Sequence, residues 1–372
     1  MPRSPRRARW LRPGRIVLLA IVALLVAVLA VGVYFQVRSH DPPTRACARQ
    51  AAALAVPGTR AEMTVSPTSS PSPFGADALW VPPYAGAEEA AQDADRAGEP
   101  AVAARFRRIL ATPRAVWFAD AGLTGANLSG AVAGTVAPAI GQGQVPVLVA
   151  YAIPLRDCGG ESAGGTSTAD AYRSWISAFA QGLRDGGAGR GPGIAVVLEP
   201  DALAMLSRLP SARQAERLEL LRAATTTLAA VPGVAVYLDG GHSGWIPVDQ
   251  MHQRLIDAGV AGVRGFALNV SNFQPTGAEL EYGDQLAGLL GGKNFVVDTS
   301  RNGRGPTADD DWCNPPGRAL GMTPQTSAGG ALDAYLWVKS PGESDGACGG
   351  GAPAAGVFWP AYADGLARAA GW

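Results

Sequence analysis

Lysine, histidine and cysteine are scarce in this sequence, and their scarcity argues against whole classes of protein. The 372 residues include 2 lysines, 3 histidines and 4 cysteines. The histidines and cysteines do not form H-E-x-x-H or paired C-x-x-C motifs, which argues against a metalloenzyme. Charged residues make up 17% of the chain. Neither a collagen-like glycine period nor a heptad run occurs, which excludes a fibrous protein and a coiled coil.

Two further motif comparisons give no support for other large enzyme families. No G-x-G-x-x-G follows the first predicted strand, so nothing supports a dinucleotide cofactor. The block GHSGW at 241–245 does not fit G-x-S-x-G, so it gives no support for a serine nucleophile of the α/β-hydrolase type. We therefore expect a protein that needs neither a cofactor nor a metal ion.

Basic charge is concentrated at the N-terminus. Lysine plus arginine and aspartate plus glutamate both number 31, so the formal net charge is zero. Six of the basic residues lie within the first fifteen positions, at Arg3, Arg6, Arg7, Arg9, Arg12 and Arg15. The remainder has 25 basic groups against 31 acidic ones, which argues against a nucleic-acid partner.

A membrane anchor is predicted directly after these arginines. Residues 16–35 form an uncharged apolar run of about the length that spans a bilayer. The basic tail at 1–15 predicts a cytoplasmic N-terminus and an exported body, in a single-pass membrane protein. Secretion after signal-peptide cleavage is the alternative, and Ala46-Cys47-Ala48 fits a cleavage site. Residues 36–77 are interpreted as a membrane-proximal segment that includes a Ser/Thr/Pro-rich linker.

The body from residue 78 to 372 alternates apolar runs with helical patterns. Helical spacing of apolar residues is clear at 171–185 and 212–230. Little alternation occurs within the apolar runs, as in strands that are buried on both faces. The alternation predicts an α/β fold, a closed or nearly closed parallel β/α barrel, with an open doubly wound sheet as the alternative. The seven predicted strands are 115–120, 146–153, 194–200, 234–241, 265–270, 294–300 and 334–339.

Acids and aromatic residues follow the predicted strands. In a β/α barrel the carboxyl ends of the strands share one face, where these folds have their active sites. Capping of the next helix explains a single aspartate there but not a set of them. Indole rings among the acids suit a sugar polymer, whereas Trp337, inside a strand, is expected in the core. The acids are Asp157, Asp201, Asp239, Asp298, Glu343 and Asp345, and the aromatic residues are Trp117, Tyr151, Trp245 and Trp312.

Seven blocks of residues, in order, resemble glycoside hydrolase family 6, the inverting endoglucanases and cellobiohydrolases of β-1,4-glucan. The resemblance covers about residues 78–372 and implies a distorted, seven-stranded parallel β/α barrel. The blocks are YAIPLRDCGGESAGG (151–165), VVLEPDALA (196–204), YLDGGHSGW (237–245), ALNVSNF (267–273), VVDTSRNG (296–303), DWCNPPGRALG (311–321) and WVKSPGESDG (337–346).

The resemblance assigns catalytic roles to three aspartates. Asp201 matches the general acid that protonates the leaving glycosidic oxygen. Asp157 matches an aspartate that raises the pKa of that acid and supports the distorted sugar and its water. Asp345 matches the candidate base, which takes the proton of the water directly or through a relay. The matching substrate-binding residues are Tyr151, Trp117, Asp239, His242, Trp245, Asn269, Trp312, Lys339 and Glu343, with a supporting role for Arg156.

The sequence departs from the family pattern near Cys158. Ala163 stands where members often have a serine that contacts the catalytic water, with Ser162 beside it. Leu209 stands where the usual partner of Cys158 would be, so Cys158 is either a buried free thiol or pairs with Cys47. The resemblance also implies a disulfide that joins Cys313 and Cys348.

The resemblance leaves three functions open. A short, Gly-rich loop from Glu343 to Trp359 predicts an open cleft and endo-acting hydrolysis of cellulose or a related β-glucan by a monomer. No separate carbohydrate-binding module is evident, which argues against crystalline cellulose as substrate. The alternatives are a non-hydrolytic glucan-binding protein and a hydrolase of a polysaccharide made by the cell itself.

Overall fold

The computed structural model describes Cys47 and residues 72–75, 78–327 and 329–372. The basic tail at 1–15, the predicted anchor at 16–35 and most of the segment at 36–77 lie outside this part of the chain. Within it, no helix has the length and apolar character to cross a membrane.

One mostly parallel sheet forms the centre of the fold. Hydrogen-bonded neighbours follow the order β1-β2-β3-β4-β5-β6-β8-β7, and every pair is parallel except the last. The strands are β1 (Val116–Phe118), β2 (Val147–Ala150), β3 (Ile194–Leu198), β4 (Val234–Asp239), β5 (Gly265–Leu268), β6 (Asn294–Asp298), β7 (Gln325–Thr326) and β8 (Leu332–Leu336).

Helices connect the strands and cover the outside of the sheet. Successive parallel strands need such crossovers, since a hairpin turn cannot join them. The helices are α1 (Ala85–Arg96), α2 (Pro100–Leu110), α3 (Gly125–Gly141), α4 (Ala169–Asp185), α5 (Ser211–Ala229), α6 (Val248–Asp257), α7 (Thr276–Leu289) and α8 (Pro360–Ala369). Helices α4 and α5 confirm the predictions at 171–185 and 212–230.

The sheet is buried on both faces, which explains the absence of alternation in the strand sequences. Val149, Val197 and Tyr237, which are neighbours in register, belong to the cluster of apolar side chains inside the curled sheet. The residues that precede Val149 and Val197, Leu148 and Val196, face the helices instead and pack in the larger outer cluster.

The two ends of the curled sheet are joined by individual hydrogen bonds and not by a continuous ladder of paired strands. The backbone N–H of Ala115, just before β1, donates to the carbonyl of Trp337, just after β8, at 2.9 Å. The indole Nε1 of Trp117 donates to the carbonyl of Val338 at 2.7 Å. The predicted parallel β/α sheet is therefore confirmed, and its curl agrees with a distorted barrel. Trp337 is buried, as expected, in the cluster that includes residues of α1, α2 and α8.

The eighth strand was not predicted from the sequence. Strand β7 has two residues, Gln325 and Thr326, and both are exposed. It pairs antiparallel with β8 at the edge of the sheet. A polar strand of two residues has no apolar pattern, so only the tertiary pairing reveals it.

Candidate active site

Asp201 lies just beyond β3 at the carboxyl end of the sheet, held by the acid at the end of β4. The Oδ2 atom of Asp239 accepts the backbone N–H of Asp201 at 2.9 Å and that of Gly241 at 3.1 Å. Asp201 is half-buried, and its backbone is left-handed with φ 67°. The hydrogen bond from the Asp201 backbone to the Asp239 carboxylate fixes the point from which the Asp201 side chain projects. The positions of these two acids are therefore coupled.

Burial and neighbouring charge favour the protonated form of Asp201. Burial raises its pKa well above the ordinary value, and the negative charges of Asp239 and Asp157 raise it further. Burial also raises the pKa of Asp239, to about 7, although two backbone N–H donors oppose this. The structure therefore favours the protonated form of the Asp201 carboxyl, the form that can serve as an acid.

Asp157 follows β2 in a loop with an unusual backbone. Its carboxylate accepts the backbone N–H of Ser162 at 2.7 Å. Burial raises the pKa of Asp157, and the bond from Ser162 and two arginines oppose the rise. The arginine next in sequence, Arg156, donates to the carbonyls of Tyr151, Ala119 and Ser162 at 2.6–2.8 Å. The Arg156 guanidinium thus stabilises the loop that carries Asp157 through hydrogen bonds to backbone carbonyls.

Tyr151 and Trp117 form the aromatic part of the site. Their rings meet edge to face with centroids 5.4 Å apart, and the guanidinium carbon of Arg156 lies 4.5 Å from the centroid of the Tyr151 ring. Tyr151 is buried, whereas Trp117 is half-buried. The structure therefore brings both aromatic residues together beside the Asp157 loop.

Asp345 is the centre of an ion-pair network. Its Oδ2 accepts from Arg301 Nη1 at 2.7 Å and from the backbone N–H of Asn314 at 3.0 Å, while Lys339 Nζ lies 3.5 Å from Oδ1. Burial alone would raise the pKa of Asp345, but Arg301 and Lys339 outweigh it and hold the pKa below its usual range. Half-buried Glu343 lies nearby, and burial raises its pKa against the Lys339 charge.

The remaining predicted residues differ in exposure. Trp312 is 50% exposed, as a surface that stacks against a sugar requires, and His242 packs against half-buried Trp245 with ring centroids 5.3 Å apart. Burial lowers the pKa of His242 to about 4, so its imidazole is neutral. Asn269 is wholly buried. Its side-chain N–H donates to the carbonyl of Asp298, and its side-chain oxygen accepts the backbone N–H of Gln274. It braces a loop in this structure.

Four buried acids hold the loops at this face by accepting backbone N–H groups. Glu199, wholly buried after β3, accepts Ala152 and Ile153 at 3.0–3.1 Å and thereby holds the chain after β2. Asp239 holds the chain after β3 in the same way, as described above. Burial raises the pKa of Glu199 to about 7.

The other two acids of this group are Glu279 and Asp298. Glu279, on α7, accepts the N–H of Ser243 at 2.9 Å, and burial raises its pKa to about 7. Asp298, at the end of β6, accepts four backbone N–H groups at 2.9–3.2 Å. The donors are Ser271, Ser300, Val338 and Lys339.

Sequence reasoning did not find the bracing roles of Glu199, Glu279 and Arg301. Glu199 and Arg301 lie in the blocks LEPD and DTSRNG, but a block does not show which way a side chain faces. For Glu279 the sequence indicates only that it lies in a helix, which does not predict a contact with the loop at Ser243. Within the described residues, no group of three or more His, Cys, Asp or Glu side chains is placed to hold a metal ion.

Replacing Asp298 with alanine is expected to destabilise the fold by about 3 kcal/mol, because it leaves four backbone donors without their acceptor in a buried site. Urea unfolding measures the loss. Asp309→Ala, at an exposed acid in the loop after β6, is the control and should change stability by less than about 0.5 kcal/mol. Equal losses in the two variants would show that the Asp298 carboxylate does not brace these loops.

The loops that carry Asp157 and Asp345 touch each other. The backbone N–H of Ala347 donates to Glu161 Oε2 at 3.0 Å. A Cβ atom at Gly346 would lie 2.4 Å from Glu161, so glycine permits this approach. The two loops thus meet above the carboxyl ends of the strands.

Both pairs of cysteines form disulfides. Cys313–Cys348 confirms the pairing implied by the resemblance. Cys158 pairs with Cys47, which settles the alternative left open above, and a free thiol at Cys158 is wrong. The two bonded residues are 111 positions apart, so no local pattern predicts their contact.

Comparison with known proteins gives matches over this part of the chain. The family model described as "Glycosyl hydrolases family 6" matches residues 74–370. Endoglucanase A of Cellulomonas fimi is 45% identical over 273 residues, which is 72% of this chain and 57% of that protein. Endoglucanase A of Thermobispora bispora is 40% identical over 64% of this chain and 52% of that protein. The chain thus matches little more than half the length of either relative.

A solved structure is similar as well. Endoglucanase Cel6 from Mycobacterium tuberculosis, solved in complex with methyl-cellobiosyl-4-deoxy-4-thio-β-D-cellobioside, superposes with a TM-score of 0.75 at 44% identity. The match covers 81% of this chain and all of that one.

Proposed function

The chain belongs to family 6 of the glycosyl hydrolases, and from this premise we propose that it hydrolyses internal β-1,4-glucosidic bonds of cellulose or a related β-glucan with inversion. The observation that carries the proposal is the position of Asp201 just beyond β3, where its backbone N–H donates to Asp239 and where burial and the charges of Asp239 and Asp157 raise the pKa of its carboxyl. An inverting glycosidase needs one such acid and a second group that helps water to attack the opposite face of the sugar.

In the proposed reaction Asp201 donates its proton to the glycosidic oxygen as the bond to the anomeric carbon breaks. The leaving sugar then departs as a neutral alcohol. The acid works protonated, so the raised pKa serves the reaction. The Asp201 carboxylate that remains must regain a proton before the next turnover, while the bond from its backbone N–H to Asp239 keeps the loop in place.

Asp157 is proposed to raise the pKa of Asp201 and to support the distorted sugar ring together with Tyr151. Positive charge develops on the sugar in the oxocarbenium-like transition state, and nearby carboxylates stabilise it. The bond from the Ser162 N–H holds one oxygen of Asp157 in place.

Asp345 is proposed as the base that takes the proton of the attacking water. Its lowered pKa keeps it ionised over the working range, as a base requires. Its cationic partners also make it a weak base. The proton passes from the water to Asp345 either directly or through an intervening water.

The other residues of this face are proposed to form the sugar subsites. Trp117, Trp245 and Trp312 offer indole surfaces for stacking against pyranose rings. Polar contacts to the hydroxyl groups come from Asp239, His242, Lys339 and Glu343, and buried Asn269 supports these subsites by holding the loop beside them.

We propose that the body works outside the cytoplasmic membrane as a monomer, either anchored through residues 16–35 or secreted after cleavage at a position that leaves Cys47 in the chain. The two disulfides are consistent with an oxidising compartment. Endo action is proposed because the loop from Glu343 to Trp359 is short and leaves little chain to enclose a glucan strand.

The proposal predicts that the full chain, in detergent, lowers the viscosity of carboxymethylcellulose long before reducing ends accumulate. An enzyme that cuts internal bonds shortens many chains with few cuts, so viscosity falls first. Viscometry and a reducing-sugar assay on the same samples measure both quantities. Reducing ends without loss of viscosity would instead indicate exo action, and glucan binding without turnover would favour the non-hydrolytic alternative.

A further inference from the structure

The loop that carries Asp157 has a backbone that its own residues do not favour. Leu155, Asp157 and Cys158 have φ values of 59°, 55° and 48°. Side chains other than glycine rarely adopt this left-handed region, and three such residues within four positions must be held by their surroundings. The loop therefore depends on contacts from outside itself.

Hydrogen bonds hold one side of this loop. Arg217, buried on α5, donates to the carbonyls of Pro154 and Leu155 at 2.8 Å. Arg156 holds the chain on either side of Asp157, as described above. None of these bonds reaches Cys158, the residue that follows the acid.

A covalent bond holds the other side. Cys158 is joined to Cys47, and both side chains are fully enclosed, with exposures of 1% and 0%. Leu155, Leu206 and Leu209 belong to the apolar cluster around the bond. The segment that contributes Leu206 and Leu209 also carries Arg208, whose positive charge opposes the burial-driven rise in the pKa of Asp157 and Asp201.

We propose that the Cys47–Cys158 disulfide is a positioning device for Asp157, so that turnover depends on the oxidised state of this bond. The inference rests on the proposed function, in which Asp157 supports the general acid and the distorted sugar. The bond fixes the residue next to Asp157 against a cluster anchored elsewhere in the fold. Cys47, which precedes the catalytic body in sequence, thereby becomes part of the active-site framework.

Reduction is the chemical change that would release the loop. An external dithiol supplies two electrons and two protons, the sulfur–sulfur bond breaks, and Cys47 and Cys158 become thiols while the dithiol closes to its own disulfide. Cys158 is then no longer joined to Cys47, and the left-handed residues lose their covalent support.

The test replaces Cys47 with serine in the full chain and measures turnover of carboxymethylcellulose. We expect kcat to fall about 10-fold or more, because small misplacement of a catalytic group is costly, and KM to stay within about two-fold. Leu206→Ala removes packing from the same cluster but keeps the bond, and should cost less kcat at an equal loss of thermal stability.

A double-mutant cycle separates positioning from general stability. If the disulfide acts through Asp157, Cys47→Ser should add no further loss of kcat to Asp157→Asn. Additive losses, or full kcat in Cys47→Ser, would overturn the positioning role while leaving the proposed function intact. Absence of turnover by the wild-type chain would count against both.

Graded reduction covers the case in which Cys47→Ser does not fold. The wild-type chain is treated with increasing dithiothreitol, and freed thiols are located by alkylation and mass spectrometry. Turnover should fall in step with the release of Cys47 and Cys158. Loss that follows only Cys313 and Cys348, or no loss after Cys158 is free, would contradict the inference.

Discussion

Asp201→Asn is expected to lower kcat on carboxymethylcellulose by about 10²- to 10⁴-fold, the usual contribution of a general acid. Asparagine keeps the size of the side chain, but its amide has no acidic proton that it could transfer to the leaving oxygen. Steady-state kinetics at matched protein concentration measure the loss. Asp309→Asn, which removes an exposed acid from the loop after β6, is the control and should retain full activity.

The choice of substrate makes this prediction sharper. In an aryl cellobioside made from an acidic phenol, the phenolate leaves without protonation by an acid. Asp201→Asn should therefore lose much less activity on this substrate than on the polymer. Equal losses on both substrates would indicate that Asp201 acts in some way other than protonation of the leaving group.

The pH dependence follows from the same carboxyl. Asp201 works protonated, so activity should fall as pH rises through its raised pKa. Asp239→Asn removes a neighbouring negative charge, lowers the pKa of Asp201 and should move this alkaline limb to lower pH. An unchanged limb in that variant would show that a different group controls it.

Asp345→Asn is expected to affect both stability and turnover. It leaves Arg301, wholly buried, without its charged partner, a loss that typically costs about 3–5 kcal/mol. The proposed base is lost as well, and kcat should fall about 10²-fold or more. Asp93→Asn, which breaks the exposed pair with Arg96, should cost less than about 1 kcal/mol in the same urea titration.

The stability effect of Asp345 also has a defined pH window. Its pKa is lower in the folded chain than in the unfolded chain, so the stabilisation is present above the unfolded value of about 4. It is lost only as pH falls through the lower, folded value. The difference between wild type and Asp345→Asn should therefore persist at pH 7 and shrink in strong acid. A difference that shrinks between pH 7 and 5 would contradict the ion-pair account.

The strands and the face that carries the acids could be predicted because both depend on local patterns. Continuous apolar runs predicted all seven parallel strands, and an acid at the end of a strand must lie at the carboxyl edge of the sheet. Asp201, Asp239 and Asp157 are brought together there because β2, β3 and β4 are adjacent.

The features that could not be predicted depend on contacts between distant parts of the chain. The Cys47–Cys158 bond joins positions 111 apart. Glu161 meets Ala347 from a different loop. Glu279 lies within α7, where its sequence pattern is that of any helical glutamate, and only the packing of α7 shows that it faces the loop at Ser243.

The most direct test of the central claim is the anomeric form of the first product. Fresh digestion of a soluble cello-oligosaccharide by the full chain is followed by proton NMR within the first minutes, before mutarotation. Inverting cleavage of a β-1,4 bond with Asp201 as acid predicts α-anomer first, at a rate that drops sharply in Asp201→Asn. A β-anomeric first product would contradict the inverting mechanism and the roles assigned to Asp201 and Asp345.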